Sequence, residues 1–242
     1  GLVGWGEAFS YSCTTAVASV LQRSVVPFLI GRDPADLDAI LTEIKHRLHI
    51  MGRYGITMFA ISAADIALHD LAAKAEGVSL ATWLGGRQRG AVDAYASLIR
   101  YGDSDLVARI ASKAVAEGYR TVKLHEIDLA HIRAGRGAVG PDVALTNDVN
   151  CNWSVEQTLG WAEELRALDL MWLEEPTMPP EDFATMARIR RETGIPIATG
   201  ENCCTHWQFA EMIRAEAADF VQPSVTKIGG IAETMATRRL AR

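Results

Sequence analysis

Three carboxylates are the residues in this chain whose spacing first suggests shared chemistry. Asp148, Glu174 and Glu201 each close a short apolar run, at residues 144–148, 170–174 and 195–201. The steps between them are 26 and 27 residues, the length of one strand plus one helix in a parallel α/β protein. On neighbouring parallel strands their side chains would converge at the carboxyl ends. Anions gathered at low dielectric repel one another strongly, so such a trio stays ionised only around a cation. Hard oxygen donors that leave positions open for water or substrate suit Mg2+. The expectation is a catalytic Mg2+ site built from Asp148, Glu174 and Glu201.

Lys123 and His125 lie two apart at the end of another apolar run, so both would face the same mouth. Lys123, between Val122 and Leu124, is poorly placed for solvation and reads as a cation for a substrate carboxylate or an enolate. His125 brings an imidazole, a group that takes up protons near neutral pH. Asn150 follows Asp148 by two and would share its side of an extended segment, as a substrate contact or a turn former. Glu175, next to Glu174, would point to the opposite face and support the site from behind.

The elements that must hold these residues form a repeat from residue 91 onward. Residues 92–98, 121–125, 144–148, 170–174, 195–201 and 219–224 read as strands. Residues 105–117, 129–139, 155–168, 179–191 and 207–216 read as the helices between them, and another helix begins near Ile231. Ser154 ahead of Glu156 and Gln157 is a helix start, and Gly118 a stop. About six βα units indicate an α/β fold with an all-parallel sheet. Functional residues at several strand ends favour a TIM (β/α) barrel, since an open sheet would gather them at one switch point. Eight units close such a barrel, so the barrel is incomplete in this chain and two units are expected beyond Arg242. An exposed barrel edge calls for a covering segment or partner.

Residues 1–88 read as mostly helical and residues 89–242 as the partial barrel, with Gly85-Gly86 near the boundary. Apolar spacing predicts helices over 14–29 and from Pro34 onward, with Asp33 as cap, and an Ala-rich helix over 58–75 enclosed by others. A chain of 242 residues, 49% hydrophobic, can bury a large core. The net charge of −6 with no Lys/Arg block argues against a nucleic-acid partner or an acidic membrane surface. No apolar run is read as approaching the roughly 18 residues that span a bilayer, and no leader is evident, so a cytoplasmic location is expected. Cys13, Cys151, Cys203 and Cys204 have no zinc or Cys-x-x-Cys spacing and are expected to be reduced. Trp5, Trp83, Trp153, Trp161, Trp172 and Trp207 read as packing residues. Among the other histidines only His206 falls near the expected mouth.

Taken together, Lys123-Leu124-His125, Asp148-Val149-Asn150, Trp172-Leu173-Glu174-Glu175-Pro176, Gly200-Glu201-Asn202 and Lys227-Ile228-Gly229-Gly230 resemble, in order and spacing, the enolase superfamily. The branch they resemble is that of mandelate racemase, muconate lactonizing enzyme and the acid-sugar dehydratases. The helix 62–70 and the stop Trp83-Leu84-Gly85-Gly86 are similar to the helical part of that group's N-terminal α+β capping domain. The resemblance implies a modified TIM (β/α) barrel in which Mg2+ and a Lys or His base stabilise and form an ene-diolate next to a substrate carboxylate. It implies Asp148, Glu174 and Glu201 as metal ligands. Glu rather than Asp at the fifth strand points to the racemase side of the group.

His125 stands where the family usually has a second lysine as base. Ser224 stands where the racemase branch has an Asp that pairs with a histidine, and Ser cannot fix an imidazole tautomer as a carboxylate does. Lys227 matches the lysine that serves as opposite base in the cycloisomerase branch. The resulting expectation is a Mg2+-dependent lyase that dehydrates a sugar acid, with His125 as base and Lys123 as enolate stabiliser. An epimerase, racemase or cycloisomerase using Lys227 is one alternative, and a non-catalytic barrel relative is another. The expected partners are a small carboxylate substrate and further copies of the chain. Arg53 and Tyr54, in a loop before the enclosed helix, are candidate substrate contacts.

Overall fold

The computed structural model describes residues 1–241. Helix α1 (Thr14–Val20) continues as a π turn over Leu21–Val25 and a 3-10 turn over Val26–Phe28. The expected helix 14–29 is therefore one path whose winding changes where Pro27, which lacks an N–H, removes an i→i−4 bond. The Asp33 side chain accepts from Ala35 N as expected, and α2 (Leu37–Arg47) buries Leu37, Ile40, Leu41 and Ile44. Helix α3 (Gly55–Ala75) is buried over most of its circumference. Its 21 residues are long and apolar enough to cross a membrane, which the run-by-run reading of the sequence missed. That stretch is 61% buried inside the protein, and it carries buried Ser62, Asp65 and His69, as the core helix of a domain does. Gly4 and Gly6 lie directly on it, since a Cβ on Gly6 would sit 2.0 Å from the Ala63 carbonyl oxygen. Ser79 caps the short α4 (Leu80–Trp83).

The repeat follows. Strand β1 (Ala96–Ser97) is much shorter than the expected 92–98, since its ladder with β2 covers only Ala96 and Ser97. Then come α5 (Ser104–Ala116), β2 (Thr121–Leu124), α6 (Leu129–Val139) and β3 (Ala144–Asp148). Asp103 and Asp128 cap the two helices. The expected helix 155–168 divides at Trp161 into α7 (Val155–Gly160), with a Ser154/Gln157 capping box, and α8 (Ala162–Ala167). Trp161 there packs edge-on against Trp153, at 5.2 Å between ring centroids.

After β4 (Trp172–Glu174), helix α9 (Phe183–Thr193) starts at the Asp182 cap rather than at Pro179-Pro180, because a side-chain acceptor for Thr185 N is first available there. Strand β5 (Ile197–Thr199), α10 (His206–Arg214), β6 (Phe220–Val221) and α11 (Ile231–Leu240) complete the chain. All six strands are parallel and lie in sequence order β1 to β6. That order belongs to a (β/α) barrel, since a doubly wound sheet reverses direction. Among the described residues the four cysteines form no disulfide.

The residues group into two compact units. One comprises residues 1–90, 201–210 and 223–242, and the other residues 91–200 and 211–222. The first has a core of Val17, Val25, Ile40, Ile44, Met58 and Ile61. The second is built on the sheet, whose buried Val122, Leu124, Leu145, Leu173 and Ile197 alternate with the residues that make the site.

Candidate active site

In the sheet unit, register sets the first part of the site. Asp148 on β3 pairs with Glu174 on β4, so two carboxylates end adjacent strands side by side. Lys123 lies one pleat lower, opposite Thr146, and its long side chain rises to both. Its Nζ donates to Glu174 Oε1 at 2.6 Å and stands 3.0 Å from Asp148 Oδ2. All three residues are buried. Burial pushes the ammonium toward its neutral form, but the Glu174 hydrogen bond and the charges of Asp148 and Glu174 outweigh it and hold the Lys123 pKa above the ordinary lysine value. In this structure the Lys123 ammonium is thus held in its charged form by its two carboxylate partners.

His125 follows β2 directly, and its ring is oriented from both ends. Nδ1 is hydrogen-bonded to the Leu98 carbonyl oxygen, which can only accept, so Nδ1 donates there and Nε2 is the ring nitrogen turned toward the carboxylates. Nε2 lies 3.5 Å from Asp148 Oδ2. The other carboxylate oxygens are also held. Asn150 N donates to Asp148 Oδ1 at 2.8 Å, and Trp172 Nε1 donates to Glu174 Oε2 at 3.0 Å, giving Trp172 a polar role beyond packing.

Three residues that the sequence reading passed over support this group. Arg100 donates through Nε to the His125 carbonyl at 2.7 Å and through Nη2 to Asn150 Oδ1 at 3.2 Å. Buried Glu126 accepts from Tyr101 N and Gly102 N, and Asn147 bonds the Glu126 backbone in both directions. The available signal was position, since Arg100 follows the first strand as His125 follows the second. Asn150, Cys151 and Glu175 adopt positive φ values of 48°, 59° and 42° immediately after β3 and β4. Strained backbone of this kind persists where surroundings dictate it, commonly at functional sites. Glu175 is buried, with Oε2 3.8 Å from Cys151 Sγ.

Glu201 and Lys227 belong to the other unit and are paired there. Glu201 comes two residues after β5, and its side chain is 39% exposed. Lys227 Nζ stands 3.6 Å from Glu201 Oε1 and 4.4 Å from the centroid of the Phe9 ring. Ser224 Oγ has the Thr226 hydroxyl at 3.4 Å. His206 bonds Glu233 at 2.5 Å, His69 bonds the Asp65 carbonyl and His131 meets Ser104 Oγ, all structural contacts. Arg53 and Tyr54 are exposed.

The donors suit a hard divalent ion. Asp148 and Glu174 offer only oxygen, lie side by side, and already share one positive charge, which leaves the group one unit negative. Among the described residues, no three or more His, Cys, Asp or Glu side chains are gathered as a metal cluster. The cation between the pair in this structure is Lys123.

Comparison with known proteins adds the following. Residues 105–242 match the family model "Enolase C-terminal domain-like", and residues 1–85 match "Mandelate racemase / muconate lactonizing enzyme, N-terminal domain". The chain is 33% identical to D-galactarolactone cycloisomerase of Agrobacterium fabrum, over all of this chain and 65% of that protein. It is 30% identical to arabinonate dehydratase of Saccharolobus solfataricus, over all of this chain and 67% of that one. It thus spans about two thirds of the length of these relatives. A mandelate racemase/muconate lactonizing protein from Paracoccus denitrificans, crystallised with magnesium, superimposes with a TM-score of 0.93 at 32% identity, over all of this chain and 68% of that one.

Proposed function

Since the chain belongs to the mandelate racemase/muconate lactonizing enzyme family of the enolase superfamily, we propose that it forms most of a Mg2+-dependent lyase that removes water from a sugar acid. The observation that carries the reading is the buried Lys123 ammonium between Asp148 and Glu174, beside an imidazole whose Nδ1 is held by Leu98 and whose Nε2 faces the carboxylates. Relatives in this family include dehydratases and cycloisomerases of sugar acids. In this reading Asp148, Glu174 and Glu201 hold one Mg2+, which when bound supplies the Lewis acidity that makes a proton next to a carboxylate removable.

The chain's own residues do the rest. His125 Nε2 takes the α-proton, and the imidazolium so formed is stabilised by Asp148, 3.5 Å away. Lys123 offsets negative charge that builds on the substrate carboxylate, a role that needs a permanent cation. The electron pair left at the α-carbon then expels the β-hydroxyl, and the proton on His125 can leave with it as water. One acid/base group thus balances the reaction, which accommodates Ser224 in place of a carboxylate. Asn150 and Arg100 hold the His125 and Asp148 loops, and in this reading Asn150 also contacts the substrate. Glu175 supports the Glu174 turn.

The test is α-proton exchange in D2O with a panel of sugar acids, using the full-length protein. Exchange followed by a keto acid product is expected, and H125N should lose both while still binding Mg2+. Exchange with no keto product would remove the dehydratase reading. It would favour cycloisomerisation, which the 33% identity to a cycloisomerase supports as the second candidate.

A further inference from the structure

We propose that Ser62 and Asp65 of α3 are positioning residues for Lys227, and through it for Glu201, an inference that rests on Glu201 being a metal ligand. The first N–H groups of any helix lack intrahelical partners, and α11 has only Gly230 at its cap position, with no side chain to serve them. Asp65 does so from a distant part of the chain. Its Oδ1 accepts from Ile231 N at 2.5 Å and from Ala232 N at 3.3 Å. One turn earlier on α3, the Ser62 hydroxyl donates to the Met58 carbonyl at 2.8 Å and accepts from Gly229 N at 2.8 Å.

The two glycines make this approach possible. Both have positive φ, 98° at Gly229 and 90° at Gly230, and a Cβ on Gly230 would fall 2.2 Å from Asp65 Oδ1. The Gly-Gly pair that follows Lys227 is thus the footprint of α3.

Upstream of the glycines the backbone is pinned again. Lys227 N donates to the Ser224 carbonyl at 2.8 Å, and the Thr226 carbonyl accepts from Phe9 N at 3.1 Å. Backbone fixed on both sides leaves the Lys227 side chain to run along the face of Phe9 toward Glu201. Asp65 is fully buried, and its second oxygen, Oδ2, has no hydrogen-bond partner. An orphaned buried oxygen is costly, and the capping of α11 is what the residue returns for it. Lys227 is thereby held as counter-charge to one carboxylate.

The experiment uses the full-length protein with lysine labelled at Cε, the Lys227 signal being assigned by its loss in K227R. In the unsubstituted protein that signal should be displaced by the Phe9 ring current and return to the ordinary lysine position in F9L. S62A should move it the same way and weaken Mg2+ binding by about 10-fold, and S62T, which restores the hydroxyl, should recover both. If S62A does not fold, D65N, which keeps an oxygen for Ile231 N, is read instead and should give a partial displacement. An unmoved Lys227 signal in the folded variant overturns the proposal, even if thermal stability falls. Absence of Mg2+ binding in the unsubstituted protein would instead remove the functional reading, leaving the Lys227 signal to decide the positioning claim.

Discussion

The Lys123 group and the Lys227–Glu201 pair both set an ammonium against carboxylate, and they are held in different ways. Lys123 is placed by the β2–β3–β4 ladder, in which each residue's height is fixed by its neighbours' hydrogen bonds, and the resulting contacts are 2.6 and 3.0 Å between side chains almost without exposure. Lys227 is placed by pins on an irregular segment, and it reaches a carboxylate that is 39% exposed at 3.6 Å. Ladder register gives a tight, desolvated cation. Pinned loops give a looser one, open to adjustment from a distant helix.

Breaking the tighter group should have the largest effect. K123M leaves two adjacent buried carboxylates without a counter-charge, at a cost of about 3–5 kcal/mol, measurable by urea unfolding without Mg2+. Added Mg2+ should restore more stability to K123M than to the unsubstituted protein, while turnover stays lower by about 100-fold or more. The looser pair predicts the opposite combination. E201Q should cost less stability than K123M, since Glu201 is 39% exposed and 3.6 Å from its cation, yet abolish Mg2+ binding by calorimetry.

Titration sharpens the contrast. The folded-state pKa of Lys123 is raised, so its contribution to stability is complete below the ordinary lysine value of 10.5 and is lost as pH rises through the folded value. The stability difference between the unsubstituted protein and K123M should shrink in strong alkali, where Lys123 loses its proton, and also toward acid, where the uncompensated carboxylates of K123M take protons up.

The smallest effect belongs to Glu233 in the other unit. Burial raises its pKa, but Lys45 at 2.7 Å and the His206 contacts outweigh burial and hold it below the ordinary 4.5. That contribution is present above 4.5 and is lost as pH falls through the folded value. E233Q should therefore flatten the acid limb of the stability curve while leaving the alkaline limb alone.

What could be read from the sequence follows the same division. The positions of Asp148 and Glu174 were legible because strand ends recur at a constant interval, and parallel pairing turns that interval into proximity. Lys123 and His125 were legible as a pair because side chains alternate along a strand. Arg100 was passed over although it follows the expected first strand, because β1 pairs over only two residues and ends three residues before it. The start of α9 was misplaced because a proline pair marks a turn as readily as a helix, whereas the Asp182 cap decides the matter. The capping of α11 by Asp65 was invisible, since it joins residues 166 apart through a hydrogen bond that leaves no periodic trace. The Gly229-Gly230 pair was noticed as a motif, but its reason lay in α3.

The most direct measurement is anomalous diffraction from crystals of the full-length protein soaked with Mn2+ as a stand-in for Mg2+. A single peak bonded to one oxygen each from Asp148, Glu174 and Glu201, at about 2.0–2.2 Å, is the predicted result. A peak that any of the three fails to touch, or an ion seated elsewhere while Lys123 still bridges Asp148 and Glu174, would contradict it.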